Sequence, residues 1–262
     1  MLVALDRILD AARSRAAGLR SQRAALERGV ASTAQPPDFE AALRGGSVAI
    51  IAEIKRRSPS AGTINPTLNA RALAGTYAAH GAAAISVLTD EPFFGGSLAD
   101  LRDVAHAVGR PVLRKDFIVS EEQLLEARME GAAAALLIVR ALDDTTLARL
   151  IGFARDIGLA ALVETHDADE IARALDAGAT LIGVNSRDLD TFVVDVTRAL
   201  VLLAQVPGSC VAVAESGVGS REDVVRAAAA GADAVLVGSA LSGAPNPGAL
   251  LDTLVTVARH AR

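Results

Sequence analysis

The sequence predicts a (β/α)8 TIM barrel with an N-terminal helical extension, and three observations carry that expectation. Eight apolar, β-branched runs recur along the chain, at Val48–Glu53, Ala84–Leu88, Val112–Arg114, Ala134–Val139, Leu159–Glu164, Leu181–Asn185, Val211–Glu215 and Ala234–Val237. Such short continuous runs are what strands buried on both faces require. Between them lie stretches rich in Ala, Leu and Arg at helical spacing, among them Glu121–Glu130 and Arg221–Ala230. Several of these end in a Gly-Ala step, at Gly81, Gly131, Gly178 and Gly231. Glycine just past a helix takes the left-handed conformation that closes it before the next strand.

Alternating strands and helices fit two architectures. An open, doubly wound sheet would carry a Gly-rich dinucleotide fingerprint after an early strand. None follows Glu53, and Ser216-Gly217-Val218-Gly219 comes too late and lacks the spacing. The closed barrel is therefore expected, and 262 residues suit one such domain, residues 1–262,.

Residues 1–46 form the expected extension. Leu5, Ile8, Leu9 and Ala12 recur at helical spacing with Arg and Asp between them, which makes an amphipathic helix. The pattern does not persist, so a coiled coil is excluded. Gly29 to Asp38, with Pro36-Pro37, reads as a loop, and a short helix follows around Phe39–Leu43.

Composition narrows the function. The chain is 51% hydrophobic with no Trp and one Tyr, so its core is aliphatic. A net charge of −5 argues against a nucleic-acid partner,. The single cysteine, Cys210, excludes an internal disulfide and a Cys-rich metal site,, and reads as a small buried hydrophobe. Met1–Arg7 has no signal-peptide pattern and no apolar run is long enough to span a bilayer,. No membrane partner and a cytoplasmic location are expected.

In this fold, chemistry sits where the strands end. Glu53 and Lys55 close the first strand; two residues apart, they point to the same side. Charges at the mouth of a buried strand are costly unless paired or in use. The loop Ser58-Pro59-Ser60-Ala61-Gly62 follows, with hydroxyls suited to a phosphate. Lys115 follows the third strand, Glu164 ends the fifth, Asn185 and Arg187 follow the sixth, and Glu215 ends the seventh. Each alone also reads as a rim ion pair or, for Asn185, a turn cap. Together, Glu53, Lys55, Lys115, Glu164, Asn185 and Glu215 on one face point to acid–base chemistry.

Ser216 and Gly217 after the seventh strand, and Gly238 and Ser239 after the eighth, suit a phosphate site that Ser58 completes. The plainer reading is that these glycines only make turns. Phe93-Phe94, in a chain poor in aromatics, walls an aromatic substrate or packs in the core. His80, His106 and His260 read as solvated. His166 has no second His or Cys at ligand spacing, so no metal site is expected.

Glu53-Ile54-Lys55-Arg56-Arg57-Ser58-Pro59-Ser60 resembles the signature of the indole-3-glycerol-phosphate synthase family. The likeness continues in order through Ile85–Asp90, Phe93–Ser97, Val112–Phe117, Leu162–Glu164, Gly183–Leu189, Ala214–Gly217 and Val237–Ser239. The extension before the barrel also fits. The chain departs at Ser120-Glu121-Glu122-Gln123, where many members carry Asp-x-Tyr-Gln, at Ser186 for a frequent Asn, and at Ala133 for a frequent Asp.

The resemblance implies conversion of 1-(2-carboxyphenylamino)-1-deoxyribulose 5-phosphate to indole-3-glycerol phosphate, releasing carbon dioxide and water, with no cofactor and no metal. It implies that Lys115 protonates the ketone oxygen, that Lys55 steers the carboxylate or assists dehydration, and that Glu53 holds Lys55. Glu164 is the implied base. Asn185 and Glu215 position the substrate, with Arg187 in support. Ser58, Ser216, Gly217, Gly238 and Ser239 take the phosphate, while Phe94, Phe117 and Leu236 line the ring pocket. The implied partner is thus a phosphorylated small molecule, met by a monomer or weak homodimer. A Schiff-base aldolase, another barrel isomerase of a phosphorylated ribulose amine, and a non-catalytic phosphometabolite-binding barrel are the alternatives.

Overall fold

In the computed structural model, residues 5–260 are described; Met1–Ala4, where the expected extension and the signal-peptide reading begin, and Ala261–Arg262 lie outside the described residues. Eight strands close into a parallel barrel. They are β1 (Ala49–Ile54), β2 (Ala84–Leu88), β3 (Val112–Lys115), β4 (Ala134–Ile138), β5 (Ala160–Thr165), β6 (Leu181–Asn185), β7 (Val211–Glu215) and β8 (Ala234–Val237). Strand β8 returns to β1 in parallel register, Ala49 opposite Ala234 and Ala52 opposite Val237.

Strand alternation sorts the side chains into two cores. Ile50, Ala52 and Ile54 of β1 face the helices and join the outer cluster. Ala49 and Ile51 face inward with Leu113, Leu162, Leu181, Val213 and Leu236. Continuing each inward row by two residues reaches Glu53, Lys115, Glu164, Gly183 and Glu215. The chemical groups are thus the last members of rows that are apolar lower down, which is why they meet on the barrel axis.

Strand boundaries differ from the expected ones by a residue or so, whereas residues 29–32, expected in a loop, are the last turn of the helix Arg23–Ser32. Val48 precedes β1, its N–H donating to Val257 outside the barrel at 2.8 Å. Strand β4 ends at Ile138 because Val139–Ala141 tightens into a 3-10 turn. The helices Glu121–Met129 and Arg221–Ala229 each stop one residue earlier than their spacing suggests. Gly81, Gly131, Gly178 and Gly231 all have φ between 84° and 92°, the left-handed closure expected of them.

The extension comprises α1 (Leu5–Leu19), α2 (Arg23–Ser32) and α3 (Phe39–Ala42). Asp38 caps α3 by accepting from Ala41 N–H,. Phe39, with Leu43 just past the helix, packs into the inner core beside Ala49, so α3 floors the barrel. At the other end, α1 buries Leu5, Ile8, Leu9, Ala12 and Ala16. Its Arg15 reaches Asp90 at 3.2 Å and Asp116 at 3.0 Å, just past β2 and β3. Helix α2 lies against Glu121–Met129, where Arg23 pairs with Glu121 and Glu122.

Candidate active site

A cavity of about 470 Å³ opens at the C-terminal ends of the strands. Glu53, Lys55, Lys115, Glu164, Asn185 and Glu215 all line it, as do Ser58, Phe94, Phe117, Arg187, Ser216, Gly217, Leu236, Gly238 and Ser239. One side is charged and one apolar. Phe94 and Phe117 stand with ring centroids 6.1 Å apart and planes 37° inclined. Leu136, Ile138 and Leu236 complete the apolar wall with Leu5 and Ile8 of α1. Phe93, considered with Phe94 as a wall, is not among the lining residues.

The charged side holds two clusters. Lys55 Nζ lies 2.8 Å from Glu53 Oε1. Lys115 Nζ donates to Glu164 Oε2 at 3.0 Å and lies 3.5 Å from Glu215 Oε2. Burial disfavours the Lys115 charge, but Glu164, Glu215 and Glu53 outweigh it and hold the ammonium well above the ordinary lysine range,. Burial also works against ionised Glu164, yet Lys115 and His166 keep it below the ordinary carboxylate range. Glu215 moves the other way: burial, with Glu164 and Glu53 adding to it, raises the carboxyl despite Lys115. A lysine held cationic in this way carries a proton it can give, whereas a Schiff-base nucleophile must be neutral.

Two glycines make these clusters sterically feasible. A Cβ on Gly183 would stand 2.0 Å from Glu215 Oε1, and one on Gly238 would stand 2.2 Å from Glu53 Oε1. Gly183 is the inward residue of β6 beside Glu164, and only hydrogen leaves room for the carboxylate from β7. A glycine inside a strand signals such a close approach, a cue at Gly183 that the sequence reading passed over. Gly238 was read from sequence as a phosphate ligand or a plain turn; the structure makes it the space for Glu53.

The strand ends are anchored locally. Ser242 Oγ donates to Glu53 O at 2.8 Å and accepts from Lys55 N–H at 3.1 Å. Asn185 Oδ1 accepts from Arg187 N–H at 3.0 Å, so Asn185 does cap the turn while lining the cavity. Arg187 donates to Phe192 O at 3.0 Å rather than pairing with Asp188, and burial lowers its guanidinium despite Glu53. The Ser58 loop is a small hairpin, Arg57–Ser58 against Gly62–Thr63, with Ser58 Oγ accepting from Ala61 N–H at 3.1 Å. Ser216 and Gly217 both take left-handed backbone, φ 64° and 72°. Gly238 then leads into a helical turn, Ser239–Ser242.

The family model of indole-3-glycerol phosphate synthase matches residues 5–254. The chain belongs to the indole-3-glycerol phosphate synthase family. It is 48% identical over 259 residues to the indole-3-glycerol phosphate synthase of Parafrankia sp. strain EAN1pec, spanning 98% of this chain and 97% of that one. The Streptomyces griseus indole-3-glycerol phosphate synthase is likewise 48% identical, over 98% of this chain and 96% of that one. Among solved structures, 3-hexulose-6-phosphate synthase from Salmonella typhimurium superposes with a TM-score of 0.62 at 16% identity, covering 79% of this chain and 96% of that one. That likeness speaks for the barrel alone.

Sequence reasoning passed over Leu5 and Ile8 as cavity residues, because an amphipathic helix does not announce what it packs on. Leu136 and Ile138 were equally silent, being ordinary strand apolar residues. His166 was weighed only as a metal ligand; the structure seats it between two carboxylates, Glu164 at 3.4 Å and Glu170 at 3.0 Å.

Proposed function

We propose that this cavity closes the indole ring of 1-(2-carboxyphenylamino)-1-deoxyribulose 5-phosphate, giving indole-3-glycerol phosphate, carbon dioxide and water. Membership of the indole-3-glycerol phosphate synthase family makes the chain a carboxy-lyase of tryptophan biosynthesis. The observation that carries the residue assignment is one ammonium, Lys115, held between Glu164 and Glu215 opposite the separate Lys55–Glu53 pair.

The ring carbon bearing the carboxylate bonds to the ketone carbon, and Lys115 protonates the ketone oxygen as it becomes a hydroxyl. Lys55, steadied by Glu53, steers the carboxylate until its bond to the ring breaks and carbon dioxide leaves. The bonding electrons return to the ring. The hydroxyl then takes a proton from Lys55 and departs as water, its bond to carbon breaking as the nitrogen lone pair moves in. Glu164 accepts the proton lost from the adjacent methylene carbon as the indole forms. Giving up the Lys115 proton removes the nearest cation from Glu164, so the base strengthens as the acid is spent. Asn185 and Glu215 position the amine and hydroxyl groups, with Arg187 holding the turn beside Asn185. Phe94, Phe117 and Leu236 stack against and enclose the benzene ring.

The phosphate binds Ser58, Ser216, Gly217, Gly238 and Ser239. The loops after the seventh and eighth strands and a short following helix suit that role, since the first N–H groups of a helix have no partner within it. The same reading takes the chain as a cytoplasmic monomer or weak homodimer. Among the described residues no helix is long and apolar enough to cross a membrane.

Indole fluorescence on adding the substrate to purified protein tests the reaction, with Lys115→Ala alongside. A rapid gain in the parent and its near loss in the variant are expected. A gain in both moves the acid role to another group, and no gain in the folded parent sinks the synthase reading. Borohydride treatment with substrate should leave Lys55 and Lys115 unmodified; trapping on either would restore the aldolase.

A further inference from the structure

Outside the cavity lining, one buried titratable side chain touches the reacting machinery. The His166 residue is 4% exposed, immediately after β5. Its Nδ1 meets Glu170 Oε2 at 3.0 Å, and its backbone N–H donates to the same oxygen at 2.8 Å. Its Nε2 lies 3.4 Å from Glu164 Oε1 and has no hydrogen-bond partner. Lys115 occupies the other Glu164 oxygen. Behind Glu170 stands Arg140, its Nε 2.9 Å from Glu170 Oε1. Glu164 is therefore gripped on one oxygen from within the cavity and faced on the other from behind the barrel wall.

We infer that His166 is a positioning residue for the general base: as an imidazolium held by Glu170, it aims the Glu164 carboxylate and keeps it ionised while Lys115 surrenders its proton. The inference rests on the acid–base reading above and adds a residue to it. A carboxylate 3.0 Å from the donor of the first step is itself a competing proton acceptor. A second cation that never meets the substrate lowers that competition and does not vanish when Lys115 is neutralised. His166 satisfies both conditions, since it is not among the residues lining the substrate cavity and faces Glu164 from outside it.

The surroundings favour the charged ring. Glu164 faces it from β5 and Glu170 from the helix Ala168–Asp176. Asp188 from the β6 loop, with Asp195 and Arg198 at the start of the helix Val196–Leu203, shares with it a second cavity of about 340 Å³. Arg198 donates to the His166 carbonyl at 2.9 Å. Burial opposes the charge, but Glu164 and Glu170 outweigh it and lift the imidazole to about 9.

Two measurements test this. In the parent, 15N-histidine NMR has only four rings to resolve, His80, His106, His166 and His260. One should titrate well above the rest and disappear in His166→Gln; a His166 ring neutral at neutral pH overturns the proposal. In kinetics, His166→Gln should keep KM and lower kcat. Loss of the cation raises Glu164, so the acid limb of the profile should move up by about one pH unit. At a pH on that limb the rate should fall about tenfold. Glu170→Gln, which weakens the charge without touching Glu164, should shift the limb the same way by less, and it decides the matter if His166→Gln does not fold. An unshifted limb in an active, folded variant, or a loss uniform across pH, rejects the role. A parent that makes no indole would instead sink the acid–base reading, leaving the NMR result to stand separately.

Discussion

The ends of β5 and β7 carry the same functional group in nearly the same setting, and the two behave oppositely. Glu164 and Glu215 are both buried, both inward, and both within reach of Lys115. Yet Glu164 is held below the ordinary carboxylate range and Glu215 above it. Burial cannot separate them, because it pushes both upward. What differs is the second neighbour. Glu164 has His166 behind it, whereas Glu215 has Oε1 without a hydrogen-bond partner and two carboxylates nearby. One lysine shared between two acids thus leaves one carboxyl lowered and one raised, sorted by what lies behind each,.

The comparison breaks most visibly in turnover. Glu164→Gln removes the proposed base and should lower kcat by about 10²–10⁴-fold. Glu215→Gln replaces a carboxyl raised above its ordinary range with a neutral group of the same shape, and should cost roughly tenfold, the scale of one hydrogen bond,. Equal losses in parallel steady-state assays would erase the distinction.

Gly183→Ala attacks the contrast through space alone. The new methyl would stand 2.0 Å from Glu215 Oε1, so the carboxyl must leave its place beside Lys115. Thermal melts should show a loss of about 1–3 kcal/mol. Activity should fall with it, and full activity at unchanged stability would mean that Glu215 does not need its position.

Stability against pH sharpens the same point, with opposite signs. Glu164 is depressed, so its contribution is present above the ordinary carboxylate range and is lost as pH falls through and below that range,. Glu215 is raised, so its contribution is present in acid and is lost as pH climbs above that range,. Relative to the parent, Glu215→Gln should therefore gain stability as pH climbs above the ordinary carboxylate range, while the deficit of Glu164→Gln shrinks as pH falls through and below that range. Melting temperatures above the ordinary carboxylate range read the Glu215 slope and those through and below it read the Glu164 slope; a flat profile for both variants, or the same sign in both windows, would refute the assignment.

The smallest effect is expected from Arg15→Ala. It frees Asp90 and Asp116 from their partner on α1, but Arg114 still holds Asp116 at 3.0 Å. A loss of about 1 kcal/mol is expected, with KM raised because Leu5 and Ile8 then leave the cavity wall less firmly placed. A KM unchanged by the substitution would show that the arginine does not hold that wall.

Much of this was legible in the chain because alternation is strict in a buried strand. Once Ile51, Leu113, Leu162 and Val213 are inward, Glu53, Lys115, Glu164 and Glu215 must be inward too, and a barrel leaves them one place to meet. The signs of the two glutamates were not legible, since they depend on His166 and Glu170, whose meeting with Glu164 depends on the turn between β5 and the next helix. Nor was the Phe39–Leu43 floor, which read only as a short helix after a loop. Packing partners across long sequence separation are set by closure of the barrel, not by local pattern.

The two described ends of the chain lie on opposite faces of the barrel. Leu5 sits in the wall of the substrate cavity, while Ala258 bridges Ser47 beneath the start of β1. Affinity tags, fluorescent fusions and surface tethers are therefore not interchangeable here. Leu5 stands in the wall of the cavity that substrate must enter, whereas attachment through the floor, where Ala258 lies, leaves that cavity clear. Immobilised on a support by the latter route, the enzyme would present its open face to the medium.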